Sequence, residues 1–142
     1  MVRITERYAR DLTVQDWNLF KSSLDSWILE TGHHSNLAIR YQNQHHRYLR
    51  KFATDYLPFF FLALSVRPTF VYSILTATLR EIPYDRNKYA GNVPVMNDCW
   101  LRYGIEEGFI EFERVDSREL RERIMNAPLE ITPHNSEEVD AV

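Results

Sequence analysis

Between Asn92 and Arg123 the chain carries side chains suited to reading nucleic acid. Asparagine hydrogen-bonds adenine in pairs and arginine does the same to guanine, so Asn97 and Arg102 are fitting types for a helix face turned toward the major groove. Met96, Trp100, Leu101 and Ile105 recur at helical spacing and take the inward face, which leaves Asn97 and Arg102 outward and Asn92 at the start. Asp98 could accept from cytosine but would repel phosphate. Arg114, Arg118, Arg121 and Arg123 follow downstream, while Arg86, Lys88 and Tyr89 upstream suit phosphate-backbone contact. Singly, each arginine is as readily a solvated surface charge. As a set around one helix they carry more weight.

Other chemistry has less behind it. Two histidine pairs, His33-His34 and His45-His46, stand on helical sequence, where adjacent residues point about 100° apart, so neither pair chelates one ion by itself. No Cys, Asp or Glu accompanies them at ligand spacing; the expectation is surface histidines, no metal and no cofactor. Cys99 is the single cysteine, which excludes an intramolecular disulfide and a cysteine zinc cluster and favours a reducing, cytoplasmic setting. The chain lacks G-x-S-x-G, H-E-x-x-H, P-loop and G-x-G-x-x-G signatures and has only four glycines. No catalytic residue is expected, and the chain does not read as an enzyme.

The elements that would position these groups follow from pattern. Asn92 is a good N-cap, Pro94 fits a first turn, and Gly108 can take the left-handed conformation that ends a helix. Phe109 to Val115 alternates as a strand, and Asp116-Ser117-Arg118 makes a turn. Residues 117–125 support two readings. The preferred one is a second strand; the other is a helix, since Glu, Leu, Arg and Met are strong helix formers and Leu120 and Ile124 lie four apart. Upstream, Thr13 and Asp16 open an amphipathic helix to about Thr31, with a stripe of Val14, Trp17, Phe20, Leu24, Trp27 and Ile28. A second helix runs from Ser35 or Asn36 to about Ala53 with a basic outer side. Asp55 caps a third, the apolar Tyr56–Val66, and Thr69 a fourth, to about Ile82, where Pro83 ends it. A short helix at Asp85–Tyr89 and a short strand at Leu129–Thr132 complete the pattern.

At 142 residues the chain can bury a real core, and 44% hydrophobic with 13% aromatic content fits a globular protein. Its most apolar run, Tyr56 to Val66, is far short of the ~20 residues a membrane span needs. The net charge of −3 speaks weakly against nucleic acid, but it is unevenly placed. Glu130, Glu137, Glu138 and Asp140 fall after residue 125, leaving 17 basic against 16 acidic side chains before it.

A helix ending in Glu106-Glu107-Gly108, followed by an alternating strand and an Asp116-x-Arg118 tip, resembles the recognition helix and wing of bacterial winged helix-turn-helix regulators, MarR-like ones in general, over about residues 69–131. The resemblance implies a mainly α (α+β) fold: an N-terminal helical dimerisation segment (1–55), a winged-helix DNA-binding module (56–132) and a disordered acidic tail (133–142). It implies a homodimeric, sequence-specific transcriptional regulator of double-stranded DNA. Arg86, Lys88, Asn92, Asn97, Arg102, Arg114, Arg118 and Arg121 would make the DNA contacts. Trp17, Phe20, Leu24 and Trp27 would lie in the dimer interface, because long C-terminal dimerisation helices do not follow. It further implies an effector cavity near Trp17, Trp27, Phe59 and Tyr72. The alternative is a non-catalytic interaction module that binds another protein, such as the transcription machinery, and not DNA. Arg86, Arg102, Arg114 and Arg118 gathered on one face would favour DNA; interruption by Glu106, Glu107, Glu111 and Glu113 would favour a protein partner.

Overall fold

The computed structural model describes residues 2–31, 43–68 and 71–134. The fold is mainly helical. In chain order it runs β1 (Arg3–Ile4), α1 (Glu6–Ala9), α2 (Val14–Thr31), α3 (Gln44–Phe52), α4 (Leu57–Val66) and α5 (Tyr72–Leu79). There follow β2 (Glu81–Ile82), α6 (Arg86–Tyr89), α7 (Val93–Glu106), β3 (Ile110–Glu111), α8 (Arg118–Met125) and β4 (Thr132–Pro133).

The apolar helix α4 is the centre. Leu57, Phe59, Phe60, Phe61, Ala63 and Leu64 are all buried, as a helix that is hydrophobic all round must be. Burying each of those rings contributes roughly 2–3 kcal/mol. Around α4 pack α7, β1 and β3, while α2 packs against α3. Gly104 lets α7 come close: a Cβ there would stand 2.7 Å from Cδ1 of Phe61 and 3.1 Å from Cγ1 of Ile110. The start of α2 is a reciprocal capping box. The Asp16 N–H donates to Thr13 Oγ1 and the Thr13 N–H to Asp16 Oδ2, each at 3.0 Å. The end of α7 is a Schellman turn on Gly108, at φ +80°, with the Phe109 N–H donating to Gly104 O (2.9 Å) and the Gly108 N–H to Ile105 O (3.1 Å).

The strands depart from expectation. No wing hairpin forms: residues 118–125 are helical, and β3 pairs antiparallel with the N-terminal β1, Ile4 opposite Ile110 and Arg3 opposite Glu111. The reason is local. Ser117 accepts the Leu120 N–H (3.1 Å) as an N-cap, Asp116 accepts the Glu113 N–H (2.8 Å) and closes the turn before it, and Leu120 and Ile124 bury one helical stripe. β4 pairs with β2, Ile82 opposite Thr132, so α5 stops early at left-handed Arg80 (φ 57°). The N-terminal arm of the expected 1–55 segment is thus sewn to β3, beyond α7. The expected disordered tail also loses Pro133, which lies in β4, and His134, which is buried; residues 135–142 lie outside the described residues.

Two further boundaries move. α3 starts at Gln44, because Asn43 is extended (φ −64°, ψ 142°) and caps the His45 N–H at 2.8 Å; the start expected at Ser35 or Asn36 lies outside the described residues, as does the Thr69 cap. α4 begins at Leu57 without a side-chain cap, so Asp55 does not serve as one. The short helix at Asp85–Tyr89 is present as α6, with Asp85 accepting the Asn87 N–H at 3.0 Å. No helix among the described residues is long and apolar enough to cross a membrane.

Candidate functional site

The intended recognition helix α7 lies between α4 and α8, in contact with both. Its buried side is wider than the stripe of Met96, Trp100, Leu101 and Ile105. It also takes in Asn97, Cys99 and Tyr103. Asn97, placed outward by the sequence pattern, is 6% exposed. Its Nδ2 donates to the Leu64 carbonyl (3.1 Å) and its Oδ1 accepts from the Tyr72 hydroxyl (2.9 Å). The partner choice has a plain cause. Leu64 sits four residues before Pro68, which has no N–H to return to that carbonyl, so the end of α4 would leave a buried acceptor orphaned. Asn97 supplies the missing donor from another helix.

Arg102 is likewise drawn inward. Its Nη1 donates to the Ala127 carbonyl at 2.6 Å and its Nε to Glu106 at 3.1 Å, which ties the end of α8 back to α7. Arg121 donates to the carbonyls of Glu113 (2.6 Å) and Asp116 (3.3 Å) and lies over the Phe112 ring at 5.3 Å. The other cations meet nearby groups. Arg118, 91% exposed, pairs with Glu122 (2.8 Å), Arg123 with Asp98 (3.4 Å) and Arg3 with Glu111 (2.7 Å). Arg86 reaches His134 (3.4 Å), Lys88 lies over Tyr89, and Arg114 is exposed in the turn before α8. Asn92 is spent on its cap, accepting the Val95 N–H at 3.4 Å. Of the eight residues proposed for DNA, Asn97 is therefore buried, Asn92, Arg102 and Arg121 are held by the protein's own backbone, and Arg118 pairs with an acid.

The stripe proposed for dimerisation is core. Phe20, Leu24 and Trp27 are buried, and half-buried Trp17 stacks on Phe20 (5.6 Å) and meets Phe59 edge-on (5.3 Å). The four rings expected around an effector cavity serve separate contacts: Trp17 with Phe59, Trp27 with His46 at 5.2 Å, and Tyr72 with Asn97.

A real cleft, about 300 Å³, opens beside the first half of α7. Val2, Leu64, Pro94, Leu101 and Ile124 form its apolar walls, and Asp98, Arg123 and Arg67 its polar lip. Burial pushes the Asp98 carboxyl above the ordinary carboxylate range, against the pull of Arg123. Its neighbour Cys99 offers no nucleophile. The thiol is fully buried, lies 3.6 Å from the Pro128 carbonyl, and is pushed up to about 11 by burial and by the Asp98 charge. The geometry suits binding: an apolar hollow with an ion pair at its mouth. Among the described residues no group of His, Cys, Asp and Glu is placed to hold a metal ion. His45 bonds Glu30 at 2.6 Å while its neighbour His46 is buried, pointing elsewhere; His33 and His34 lie outside the described residues.

Sequence reasoning missed the cleft because its walls come from four separate segments. The one available signal was Pro68, whose missing N–H requires a donor for Leu64. No protein-family model matches this chain, and no curated protein and no solved structure matches it either.

Proposed function

We propose that this chain is a non-catalytic helical interaction module that engages another protein rather than a DNA duplex. One observation carries the reading: most arginines beside α7 are matched by acids or, like Arg121, spent on backbone carbonyls, with Arg114 left exposed. Arg102 with Glu106, Arg118 with Glu122, Arg123 with Asp98 and Arg3 with Glu111 make a surface of alternating sign. A duplex needs several cations free to displace condensed counterions. Alternating charge favours a partner that carries both signs and is chosen by register.

The test is fluorescence anisotropy of the full chain against labelled random-sequence duplex DNA over a salt series. No binding at low salt is expected. Binding that weakens linearly in log[salt], with a slope of about one per phosphate neutralised, would overturn the reading and return the chain to the DNA-binding regulators.

A further inference from the structure

The cleft beside the first half of α7 has a composition that selects what enters it. Its walls come from the residue before β1, the end of α4, α7 and α8. Val2, Leu64, Leu101 and Ile124 are each at most 2% exposed, and Pro94 and Leu120 complete the walls. Val66, 60% exposed, adds apolar surface still open to solvent. Every apolar residue lining the cleft is aliphatic, so it offers hydrophobic contact but no ring to stack on. Its volume of about 300 Å³ stands at the small end of the range for ligand pockets.

The charged residues that line it are two arginines and one acid, Arg67, Arg123 and Asp98, a net +1. Asp98 meets Arg123 only through Nε, at 3.4 Å, and no contact engages that guanidinium's two terminal nitrogens among the described residues. Arg67 touches Asp25 of α2 at 3.8 Å, beyond hydrogen-bond distance, with both side chains more than half exposed, so the pair is weak in water. The polar side chains of the walls are already committed: Asn97 to Leu64 and Tyr72, and Ser65 to the Leu62 carbonyl at 2.6 Å. The donors left to a ligand are the guanidinium N–H groups at the lip.

We propose that the cleft binds a small aliphatic carboxylate, its alkyl chain in the hollow and its carboxylate against the Arg67 and Arg123 guanidinium groups. A guanidinium fork matches a planar carboxylate with paired hydrogen bonds. One negative charge balances the lip, whereas a phosphate monoester would bring a second beside Asp98. The C-terminus of a polypeptide has the same carboxylate but carries a backbone amide on its α-carbon, which aliphatic walls would leave unpaired. This site is independent of the protein-interaction reading.

Methyl-detected NMR titration of the full chain tests it with four probes: hexanoate, hexanamide, hexyl phosphate, and an N-acetylated tripeptide ending in leucine with a free carboxylate. Hexanoate should shift the methyl resonances of Val2, Leu64, Leu101 and Ile124. It should bind about tenfold more tightly than hexanamide, the difference between charge-assisted and neutral hydrogen bonds. The phosphate and the peptide should both bind more weakly than hexanoate. Arg67→Gln, at an exposed side chain, should weaken hexanoate about fivefold and leave hexanamide unchanged. Asp98→Asn, which removes the one acid of the lip, should tighten hexanoate by about the same factor. No methyl shifts in the cleft, equal binding of hexanoate and hexanamide, preference for the phosphate or the peptide, or unchanged hexanoate affinity in either variant would overturn the proposal. Duplex binding in the salt-series assay would remove the interaction module and leave the cleft.

Discussion

Asn97 distinguishes a structural asparagine from a base-reading one. Replacing it by alanine deletes two hydrogen bonds whose partners stay behind: the Leu64 carbonyl and the Tyr72 hydroxyl. The carbonyl is the more costly orphan. It is buried, and Pro68 has no N–H to take over the i+4 role. An orphaned buried acceptor costs about 1–3 kcal/mol, and the half-buried tyrosine hydroxyl, which can turn toward water, about 1 kcal/mol. The sum for Asn97→Ala is about 3 kcal/mol, or roughly 10 °C in Tm for a domain of this size.

Urea unfolding followed by tryptophan fluorescence measures it, with the midpoint expected to fall at constant slope. Tyr72→Phe removes the other side of one bond, so the double variant should lose about 1 kcal/mol less than the two singles together. A loss under about 0.5 kcal/mol, the behaviour of a surface position, would refute the inward placement of Asn97 and reopen α7 as a reading helix.

Two more perturbations probe the same packing. Gly104→Ala gains up to about 1 kcal/mol of helix propensity, but its methyl meets the Phe61 ring, which is held by Phe109 stacked at 5.1 Å, and overpacking costs about 1–3 kcal/mol. A net loss of about 1 kcal/mol is expected, relieved by Phe61→Leu in the same chain; a higher unfolding midpoint for Gly104→Ala would contradict the close approach of α7 to α4. Asp98 gives a pH signature. Burial raises its folded pKa above the ordinary 3.8, so between the two values the folded state holds more protons, and this group's contribution to stability falls as pH rises through that window. Asp98→Asn should therefore be at least as stable as the parent at pH 7, with the parent gaining on it below the window; the opposite trend would mean that the Arg123 pair outweighs burial.

Much of the fold was legible because it is decided locally. The Thr13–Asp16 box, the Asn92 cap, left-handed Gly108 and the buried character of Tyr56–Val66 each depend on residues within a turn or two. What was not legible depends on distant partners. Nothing near Ile110 announces that its strand neighbour is Ile4, and nothing in the period of α7 shows that it is covered on two sides. The stripe of Met96, Trp100, Leu101 and Ile105 describes a helix with one buried face. The structure gives it two, and Asn97 falls on the second, where a carbonyl needs a donor.

The arrangement of the downstream arginines traces to one local contest. Residues 117–125 could have continued a hairpin or begun a helix, and Ser117 decides it by capping the Leu120 N–H. As a strand, the segment would have displayed alternate arginines along a wing. As a helix it reorganises all of them. Arg118 and Glu122 become helical neighbours at i, i+4, Arg123 comes beside Asp98 of α7, and Arg121 turns back onto the carbonyls of the turn that precedes it. The same docking brings Ala127 within reach of Arg102. A single cap thus sets Arg118, Arg121 and Arg123 on the protein's own acids and carbonyls rather than along a strand.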